Sequence, residues 1–410
     1  MTAPALQPSP GAPGEAVTPG EAATPGEADK QSARHGRLAV ALDATPLIGT
    51  QTGVGVFCHE AMTALAASGE LDVSGFAISW RRRYMLDKLV PPGAKVVGRA
   101  MPARPLHLAW RHFEMPSIER FIGEVDVVHG TNFVVPPTRK AARVVTVHDL
   151  TPVLYPEMCE PANLRFPALI RRALAYGAWV HTPSRYVADE VIAVFGADPS
   201  KVKAVHHGAP RLRTTDPIRI PEFPHFLPQG TSRYVLAIGT TEPRKDLPGL
   251  VKAFDAIAED FPDTALVLAG KQGWGAGELD QAIELARHAN RIVLPGYVDD
   301  LDSVLANATV LAYPSIYEGF GLPTLEAMAA GIPVVTTTAG ALPEVVGDAA
   351  VMVPPKDTDA LSGAIAKLLT DESTRLDLIK RGLERASLFT WEKCAAGLTD
   401  LYRDAVADRR

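Results

Sequence analysis

The stretch Glu318-Gly-Phe-Gly-Leu-Pro-Thr-Leu-Glu326 stands between an apolar run, Val310–Tyr313, and a segment with helical periodicity. Such a sequence is typical of the loop at the carboxyl end of a strand in an α/β sheet. Gly319 and Gly321 let the backbone approach a ligand closely, and Pro323 suits the first turn of the helix. The free N–H groups of that turn can bind a phosphate, helped by the helix dipole. The stretch therefore predicts a ligand-binding loop in an α/β fold.

Two carboxylates bracket this loop. Glu318 lies in the loop, and Glu326 lies about one turn inside the helix. Carboxylates in this arrangement can hold two hydroxyl-rich parts of one ligand, such as a sugar and a ribose. Two unrelated surface glutamates are the simpler interpretation, which the complete pattern from Glu318 to Glu326 disfavours.

Outward from this loop, strand-like apolar runs alternate with helix-length segments. The alternation predicts βαβ units and parallel sheets covered on both faces. The predicted strands are 38–42, 73–78, 126–129, 143–147, 179–182 and 203–206 in a first series and 234–238, 265–269, 291–294, 310–313, 333–336 and 350–353 in a second. The predicted helices are 54–67, 185–195, 247–259, 277–290, 323–330 and 358–369, with two closing patterns around 371–386 and 391–407.

A proline-rich segment separates the two series and predicts an interdomain linker. A ligand site between two such units is expected at the carboxyl ends of their strands. The predicted organisation is a disordered Pro/Gly/Ala/Glu tail at 1–36, a Rossmann-like domain at 37–215, the linker at 216–232, a second Rossmann-like domain at 233–390 and a final helix at 391–410.

Adjacent cations follow the first strand of the second series, in Gly239-Thr-Thr-Glu-Pro-Arg-Lys-Asp246. Arg244 and Lys245 can neutralise a diphosphate. Negative charge grows on a departing leaving group, and fixed cations in a closed cleft stabilise that charge. An ordinary surface pair near a turn is the alternative interpretation.

Two weaker signals lie in the first half. Gly53 and Gly55 open a helix-like run after the first strand, but they do not complete the dinucleotide-binding pattern, so no cofactor is inferred from them. His148 ends the apolar run 144–147, where ligands are contacted in such folds. A histidine packed in the core is the alternative there.

Together these motifs resemble the family 4 retaining glycosyltransferases, which have the GT-B fold. The resemblance rests on the Glu-x7-Glu pattern, on Glu-Pro-Arg-Lys, and on the downstream Glu326-Ala-Met-Ala-Ala-Gly-Ile-Pro-Val-Val335 and Gly340-Ala-Leu-Pro-Glu344, and it covers roughly residues 38–408. It implies an α/β architecture of two facing Rossmann-like domains with parallel sheets. It also implies that the first domain binds the acceptor and the second binds the nucleotide-sugar donor. The C-terminal helix is expected to cross back to the first domain.

The resemblance implies roles for particular residues. Glu318 would contact the donor sugar and Glu326 the ribose, while His148 would lie beside the sugar. Some family members carry an arginine where this chain has Thr240, so the division of roles between Arg244 and Lys245 stays open. The residues expected to act in catalysis are His148, Glu318, Arg244 and Lys245. Those expected to bind the donor are Gly53, Gly55, Arg244, Lys245, Tyr297, Val298, Glu318, Gly319, Phe320, Gly321, Leu322 and Glu326.

The donor sugar is indicated by further stretches. His129-Gly-Thr-Asn-Phe-Val-Val-Pro-Pro137, Val147-His-Asp-Leu150 and Gly270-Lys-Gln-Gly-Trp274 look like bacterial mannosyltransferases that use GDP-mannose. The resemblance thus implies transfer of mannose, with retention, to a glycan or lipid-linked acceptor in cell-envelope polysaccharide synthesis. UDP-glucose or another hexose donor stays open. A nucleotide-sugar epimerase of similar fold and a catalytically silent glycan-binding or assembly subunit are the alternative functions.

A further motif, the composition and the charge indicate which partners and which location to expect. Asp357-Thr-Asp359 resembles a metal motif of another glycosyltransferase architecture, but it directly precedes a helix, so N-capping is expected instead. We expect no metal requirement and no nucleic-acid partner. We also expect no cofactor, because the nucleotide sugar is a substrate. With no secretory signal and no apolar run of about 18 residues, a cytoplasmic protein is expected. The first half is basic although the net charge is −6, which also predicts a possible peripheral contact with the inner face of the membrane.

Overall fold

The computed structural model describes residues 36–49, 52–209, 224–298 and 300–409. The predicted tail at 1–36 lies outside this part of the chain except for its last residue, and residues 216–223 of the predicted linker lie outside it as well. Both assignments therefore stay predictions. Within the described ranges, no helix combines the length and the apolar character that crossing a bilayer requires.

A seven-stranded parallel sheet organises the first half, in the order β3-β2-β1-β4-β5-β6-β7. Its strands are β1 Leu38–Asp43, β2 Leu71–Phe76, β3 Lys95–Val96, β4 Val127–Gly130, β5 Ala142–Thr146, β6 Trp179–Thr182 and β7 Val202–Ala204. The helices of this half are α1 Gly53–Ser68, α2 Leu86–Leu89, α3 Ala103–His112, α4 Glu119–Ile122, α5 Thr151–Leu154, α6 Phe166–Ala175 and α7 Arg185–Phe195.

A six-stranded parallel sheet organises the second half, in the order β10-β9-β8-β11-β12-β13. Its strands are β8 Arg233–Ile238, β9 Thr264–Ala269, β10 Ile292–Gly296, β11 Val310–Tyr313, β12 Val334–Thr337 and β13 Val351–Val353. The helices that follow in chain order are α8 Leu247–Ile257, α9 Ala276–Leu285, α10 Leu301–Ala306, α11 Leu322–Ala329, α12 Leu342–Val346, α13 Thr358–Thr370, α14 Glu372–Ala386 and α15 Trp391–Asp408.

Both sheets follow the same doubly wound order. In each, the chain runs outward to one edge and then returns to the other side of the first strand. The switch points therefore fall between β1 and β4 and between β8 and β11. Open α/β sheets bind ligands outside the carboxyl ends of the strands at such points.

The last helix returns to the first sheet. Trp391, Leu398 and Tyr402 of α15 are buried in the same core cluster as Val40 of β1 and Phe57 of α1. This arrangement confirms the fold class expected from the sequence: two Rossmann-like parallel-sheet domains with a C-terminal helix that packs on the first.

The predicted strands agree with the structure to within two residues, although β3 was not predicted. One predicted helix, 277–290, is wrong at its end, because α9 stops at Leu285. Asp255 of α8 accepts hydrogen bonds at 2.9 Å from both the backbone N–H and the ring of His288. This contact replaces the hydrogen bonds that a continuing helix would make. Asp357 caps α13 through the N–H of Ala360 at 2.9 Å, as expected.

Candidate active site

The second switch point holds a buried group of opposite charges. Glu318 Oε1 lies 2.5 Å from Lys245 Nζ, and its Oε2 lies 2.8 Å from Arg244 Nη1. Lys245 follows β8 and Glu318 follows β11, so neighbouring strands deliver the two sides of the pair. We call Arg244, Lys245 and Glu318 the charged cluster. The structure thus brings together three of the four residues expected to act in catalysis.

Two further side chains contact the charged cluster, and no sequence pattern indicated them. Tyr313 Oη donates to Glu318 Oε1 at 2.9 Å, and Ser315 Oγ donates to the same oxygen at 2.8 Å. Lys245 Nζ also donates to Tyr313 Oη. A tyrosine at the last position of a buried strand was the only available signal for this role.

Electrostatics fix the charge states of the cluster. Burial alone would raise the pKa of Glu318, but Arg244 and Lys245 lower it to about 2. Glu318 and Glu242 raise the pKa of Arg244 despite its burial, and Arg244 Nε lies 2.7 Å from Glu242 Oε2. Burial and the neighbouring Arg244 lower the pKa of Lys245. The carboxylate is therefore ionised at every physiological pH.

Glycines shape the loop around Glu318. A Cβ at Gly340 would lie 2.3 Å from the Glu318 carbonyl oxygen, and one at Gly319 would lie 1.8 Å from the His148 carbonyl oxygen. Gly321 has φ +95°, in the left-handed region, and stands at the start of α11. Larger side chains at these positions would displace the loop, which explains the glycine pattern of the sequence.

Glu326 stands in a different environment from Glu318. It is half-buried on α11, and no described residue donates a hydrogen bond to its side chain. Burial, with a smaller contribution from Asp302, raises the pKa of Glu326 to about 7. Such a carboxylate lacks the donors that a polyol ligand would supply.

His148 belongs to a group of imidazoles behind the first sheet's carboxyl edge. Its Nε2–H donates to the Thr131 carbonyl at 2.8 Å, and burial lowers its pKa. Its ring meets His207 at 6.0 Å between centroids, and Phe57 packs against both rings. We call His129, His148, His181 and His207 the histidine row.

Direct hydrogen bonds join the two halves beside this loop. Ser184 Oγ donates to the Gly319 carbonyl at 2.8 Å, and the Leu150 N–H donates to Tyr317 Oη at 3.0 Å. Glu344, in the quoted Gly340–Glu344 segment, accepts bonds from the first two N–H groups of α7 at 2.8 and 2.9 Å. His206 Nε2 lies 2.7 Å from the same carboxylate. The loop after β11 is therefore held directly against the first domain.

The remaining predicted donor-binding residues lie in different parts of the structure. Gly53 begins α1, and a Cβ there would lie 3.9 Å from Leu322, so the two loops face one another. Gly55, the third residue of α1, is buried. The ring of Phe320 is buried against His207 at 4.9 Å, which leaves only its backbone for a ligand.

Tyr297 and Val298 follow the edge strand β10, which β9 separates from β8, and they lie away from the charged cluster. Tyr297 is exposed, whereas Val298 packs on the core of the second half. Gly296 is joined to the ends of the neighbouring strands, because its carbonyl accepts the Gly270 N–H at 2.9 Å. The predicted donor contact at these two residues stays a prediction.

A cavity opens beside the charged cluster, at the carboxyl ends of β8 and β11. Its lining includes Gly239, Thr240, Lys245 and Tyr313. The two cations are paired with Glu318 and Glu242, and the Lys245 ammonium also lies in the cavity lining, where an anionic ligand can accept a hydrogen bond from it. The site can therefore hold a phosphate group and stabilise charge that develops on it.

Comparison with known proteins agrees with this geometry. Residues 51–211 match the family model Glycosyltransferase Family 4, and residues 220–385 match Glycosyl transferases group 1. The O-antigen chain mannosyltransferase B of Escherichia coli is 35% identical over 295 residues, which are 68% of this chain and 74% of that protein. An MMP alpha-(1->4)-mannosyltransferase of Mycolicibacterium hassiacum is 42% identical over 113 residues, 27% of this chain and 28% of that one.

A solved structure gives the same fold. The sucrose-phosphate synthase of Thermosynechococcus elongatus superposes with a TM-score of 0.70 at 22% identity, over 91% of this chain and 100% of that one. Fold and site together define a glycosyltransferase with the GT-B architecture. The chain belongs to glycosyltransferase family 4.

Proposed function

We propose that this glycosyltransferase transfers mannose from GDP-mannose, with retention, to a glycan or lipid-linked acceptor. We place the reaction in cell-envelope polysaccharide synthesis, in the cytoplasm and in peripheral contact with the inner face of the membrane. The observation that carries the proposal is the charged cluster at the second switch point, with the cavity beside Lys245. A nucleoside diphosphate leaving group is the ligand that such a site suits.

The proposed reaction exchanges one bond for another on the same face of the sugar. The anomeric carbon loses its bond to the β-phosphate oxygen and gains one to the acceptor hydroxyl. The acceptor proton passes to the departing phosphate oxygen. Lys245 and Arg244 stabilise the charge that grows on that phosphate, together with the N–H groups at the start of α11.

Glu318 and Glu326 would divide the donor between them. In this proposal Glu318 orients the cations and contacts the sugar, and Glu326 accepts hydrogen bonds from the ribose. The half-buried Glu326 without a donor among the described residues supports the ribose contact. His148 would lie beside the sugar as a neutral imidazole, since its carbonyl partner fixes the proton on Nε2.

The choice of mannose has separate support. Two relatives, one of them matched over most of its length, are named as mannosyltransferases. The stretches around His129, His148 and Gly270 point to the same donor. No observation favours an epimerase or a silent subunit.

A ligand panel tests the donor. The purified chain is heated with GDP-mannose, GDP, UDP-glucose, UDP or NAD, each near 100 times an expected dissociation constant. At that ratio a bound ligand adds about 2.7 kcal/mol to the unfolding free energy. We expect a selective rise in Tm with GDP and GDP-mannose, which Glu326→Ala reduces.

Other results would replace parts of the proposal. A selective shift with UDP-glucose and UDP would retain the glycosyltransferase and overturn mannose. A shift with NAD, together with a changed sugar nucleotide in the absence of acceptor, would point to an epimerase. Binding of GDP-mannose without any turnover in the presence of glycan acceptors would point to a silent subunit.

A further inference from the structure

One stretch of the first domain, residues 79–113, carries an unusual concentration of positive charge. It contains eight Lys and Arg residues and a single acidic residue, Asp87, in a chain whose net charge is −6. Asp87 lies 3.8 Å from Arg83, so it offsets only one of these cations. Arg81, Arg82, Arg99, Arg104 and Arg111 are all exposed. We call this stretch the 79–113 surface.

Large apolar side chains lie among these cations and face solvent. Trp80 is 65% exposed, Tyr84 70%, Leu108 63% and Phe113 66%. Aromatic rings beside arginines are typical of proteins that lie at a membrane interface, where the ring enters the headgroup layer and the cation meets phosphate. Several large apolar side chains exposed to water within one stretch are unfavourable, and such patches mark interaction surfaces.

Helix α3 has one buried face and one exposed face. Leu106 and Trp110 are buried, with exposures of 5% and 4%, and pack in the core of the first domain. Arg104, Leu108 and Arg111 occupy positions i, i+4 and i+7, so they lie along one outer face. This face combines two arginines with an apolar residue and has no packing partner in the described part of the chain.

Hydrogen bonds join the loops of the 79–113 surface into one unit. The Met101 N–H donates to the Ser79 carbonyl at 3.1 Å, and Arg83 Nε donates to the Gly98 carbonyl at 2.9 Å. Trp110 Nε1 donates to the Pro116 carbonyl at 2.8 Å and fixes the end of α3. The exposed rings and cations are thus presented by a folded scaffold.

This surface begins at the same sheet edge as the candidate site. Trp80 follows the carboxyl end of β2, and β2 is paired directly with β1. The carboxyl ends of β1 and β5 lead to Gly53 and His148, respectively. A membrane in contact with the 79–113 surface would therefore lie next to the open side of the first domain.

We propose that the 79–113 surface docks on a bilayer that contains anionic phospholipid, and that the acceptor is an amphiphile held in that bilayer. The arginines contact lipid phosphates, and Trp80, Tyr84, Leu108 and Phe113 enter the interface. The second part rests on the proposed glycosyl transfer, whereas the docking itself does not. This proposal gives the peripheral membrane contact a defined surface and the acceptor a chemical class.

Vesicle co-sedimentation tests the docking without any sugar nucleotide. The full chain is mixed with vesicles of phosphatidylcholine alone or with about one third phosphatidylglycerol, at low and at physiological salt. We expect binding to the anionic vesicles only, weakening as salt screens the cations. The triple variant Arg81→Ala, Arg104→Ala, Arg111→Ala should bind about 100-fold more weakly, since each cation near an anionic surface contributes roughly five-fold.

A matched control removes the same charge elsewhere. Lys252, Lys367 and Lys380 are exposed on helices of the second domain. Their triple replacement by Ala should leave vesicle binding within about two-fold of the parent. Equal losses in both triple variants would mean that net charge alone drives binding and would overturn the assignment of the surface.

Tryptophan fluorescence is a second measurement of docking, and electrostatic attraction alone does not shift the emission. Trp80 and Trp274 are the exposed tryptophans, at 65% and 38%, while the other three are at most 8% exposed. Anionic vesicles should shift the emission to the blue in Trp274→Phe and not in Trp80→Phe. A shift that follows Trp274 instead, or no binding to anionic vesicles at all, would overturn the proposal. Transfer from GDP-mannose to a soluble acceptor would still test the proposed function separately.

Discussion

The charged cluster of the second domain and the histidine row of the first differ in the charge that their buried side chains carry. In the cluster, Glu318 is held ionised between two cations, with distances of 2.5 and 2.8 Å. In the histidine row, burial lowers the pKa of every member, that of His181 to about 3. The second domain therefore holds buried charges at neutral pH, whereas the buried imidazoles of the first domain stay neutral.

The difference shows where the site needs charge. A leaving diphosphate gains negative charge during transfer, and cations held in place stabilise it without reorganisation. In the proposed reaction the first domain would bind the acceptor and has no comparable charge to stabilise, and a buried cation there would cost desolvation energy. The neutral histidine row serves shape and hydrogen bonding: His129, for example, bonds Tyr402 and Thr146 at 2.7 and 2.8 Å.

Removing the carboxylate should break the charged cluster most severely. Glu318→Ala leaves Arg244 and Lys245 buried without their shared partner. Breaking a buried ion pair on one side costs about 3–5 kcal/mol of unfolding free energy. Urea denaturation measures this loss, with the exposed Glu384→Ala as a control that should stay within about 0.5 kcal/mol of the parent. A loss of similar size in both variants would show that the cluster is not the source.

Removing one cation should affect turnover more than stability. Lys245→Ala leaves Arg244 to neutralise Glu318, so the fold keeps its main ion pair. Loss of one group that stabilises transition-state charge lowers kcat by about 100- to 1000-fold. Steady-state kinetics with GDP-mannose measures it, and Lys252→Ala, an exposed lysine on α8, is the control. Turnover at the parent rate in Lys245→Ala would remove this lysine from the mechanism.

Glu326 should make donor binding depend on pH. Burial raises its pKa to about 7, and ribose hydroxyls bind best to the ionised form. Only about one tenth of such a group is ionised at pH 6, so GDP-mannose should bind roughly ten-fold more weakly at pH 6 than at pH 8. Calorimetry measures this, with proton release on binding near pH 7. The dependence should disappear in Glu326→Gln, and its persistence there would assign it to another group.

The sequence predicted the local parts of this site well. The strand β11, the glycine loop and α11 are encoded within 20 consecutive residues by apolar runs, Gly321 and Pro323. Arg244, Lys245 and Glu318 were each identified as candidates. Their mutual pairing is a tertiary contact across 73 positions, which no local pattern contains. Tyr313 and Ser315 were missed for the same reason, because their roles appear only when β8 and β11 lie side by side.

Other misses have a different physical cause. Helices α3 and α6 were not predicted, and each contains a proline, Pro105 or Pro167, near its start. Proline is tolerated in the first turn, where its missing N–H has no intrahelical partner to lose. The local sequence also does not indicate how deeply a side chain is buried. In the pair His206-His207, His206 bonds Glu344, whereas both ring nitrogens of His207 are buried without a hydrogen-bond partner in the described part of the chain.

His207 offers the mildest test of the comparison. It is 3% exposed, neither ring nitrogen has a hydrogen-bond partner in the described part of the chain, and Phe57 stacks on it at 4.5 Å. His207→Phe removes two unsatisfied polar atoms at similar shape, so it should stabilise the protein by roughly 1 kcal/mol at pH 7. Thermal denaturation measures this, with His225→Phe as the same substitution at an exposed site.

The pH dependence of His207→Phe separates this explanation from simple repacking. Burial lowers the pKa of His207 in the folded state, so below about pH 6.5 the unfolded chain binds a proton that the folded chain does not. Stability of the parent therefore falls as the pH falls, by up to about 1.4 kcal/mol per pH unit for this one group. The advantage of His207→Phe should grow correspondingly between pH 6.5 and pH 5. A stability gain independent of pH would mean that the phenyl ring merely packs better. It would also mean that burial does not keep His207 neutral as it does the rest of the histidine row.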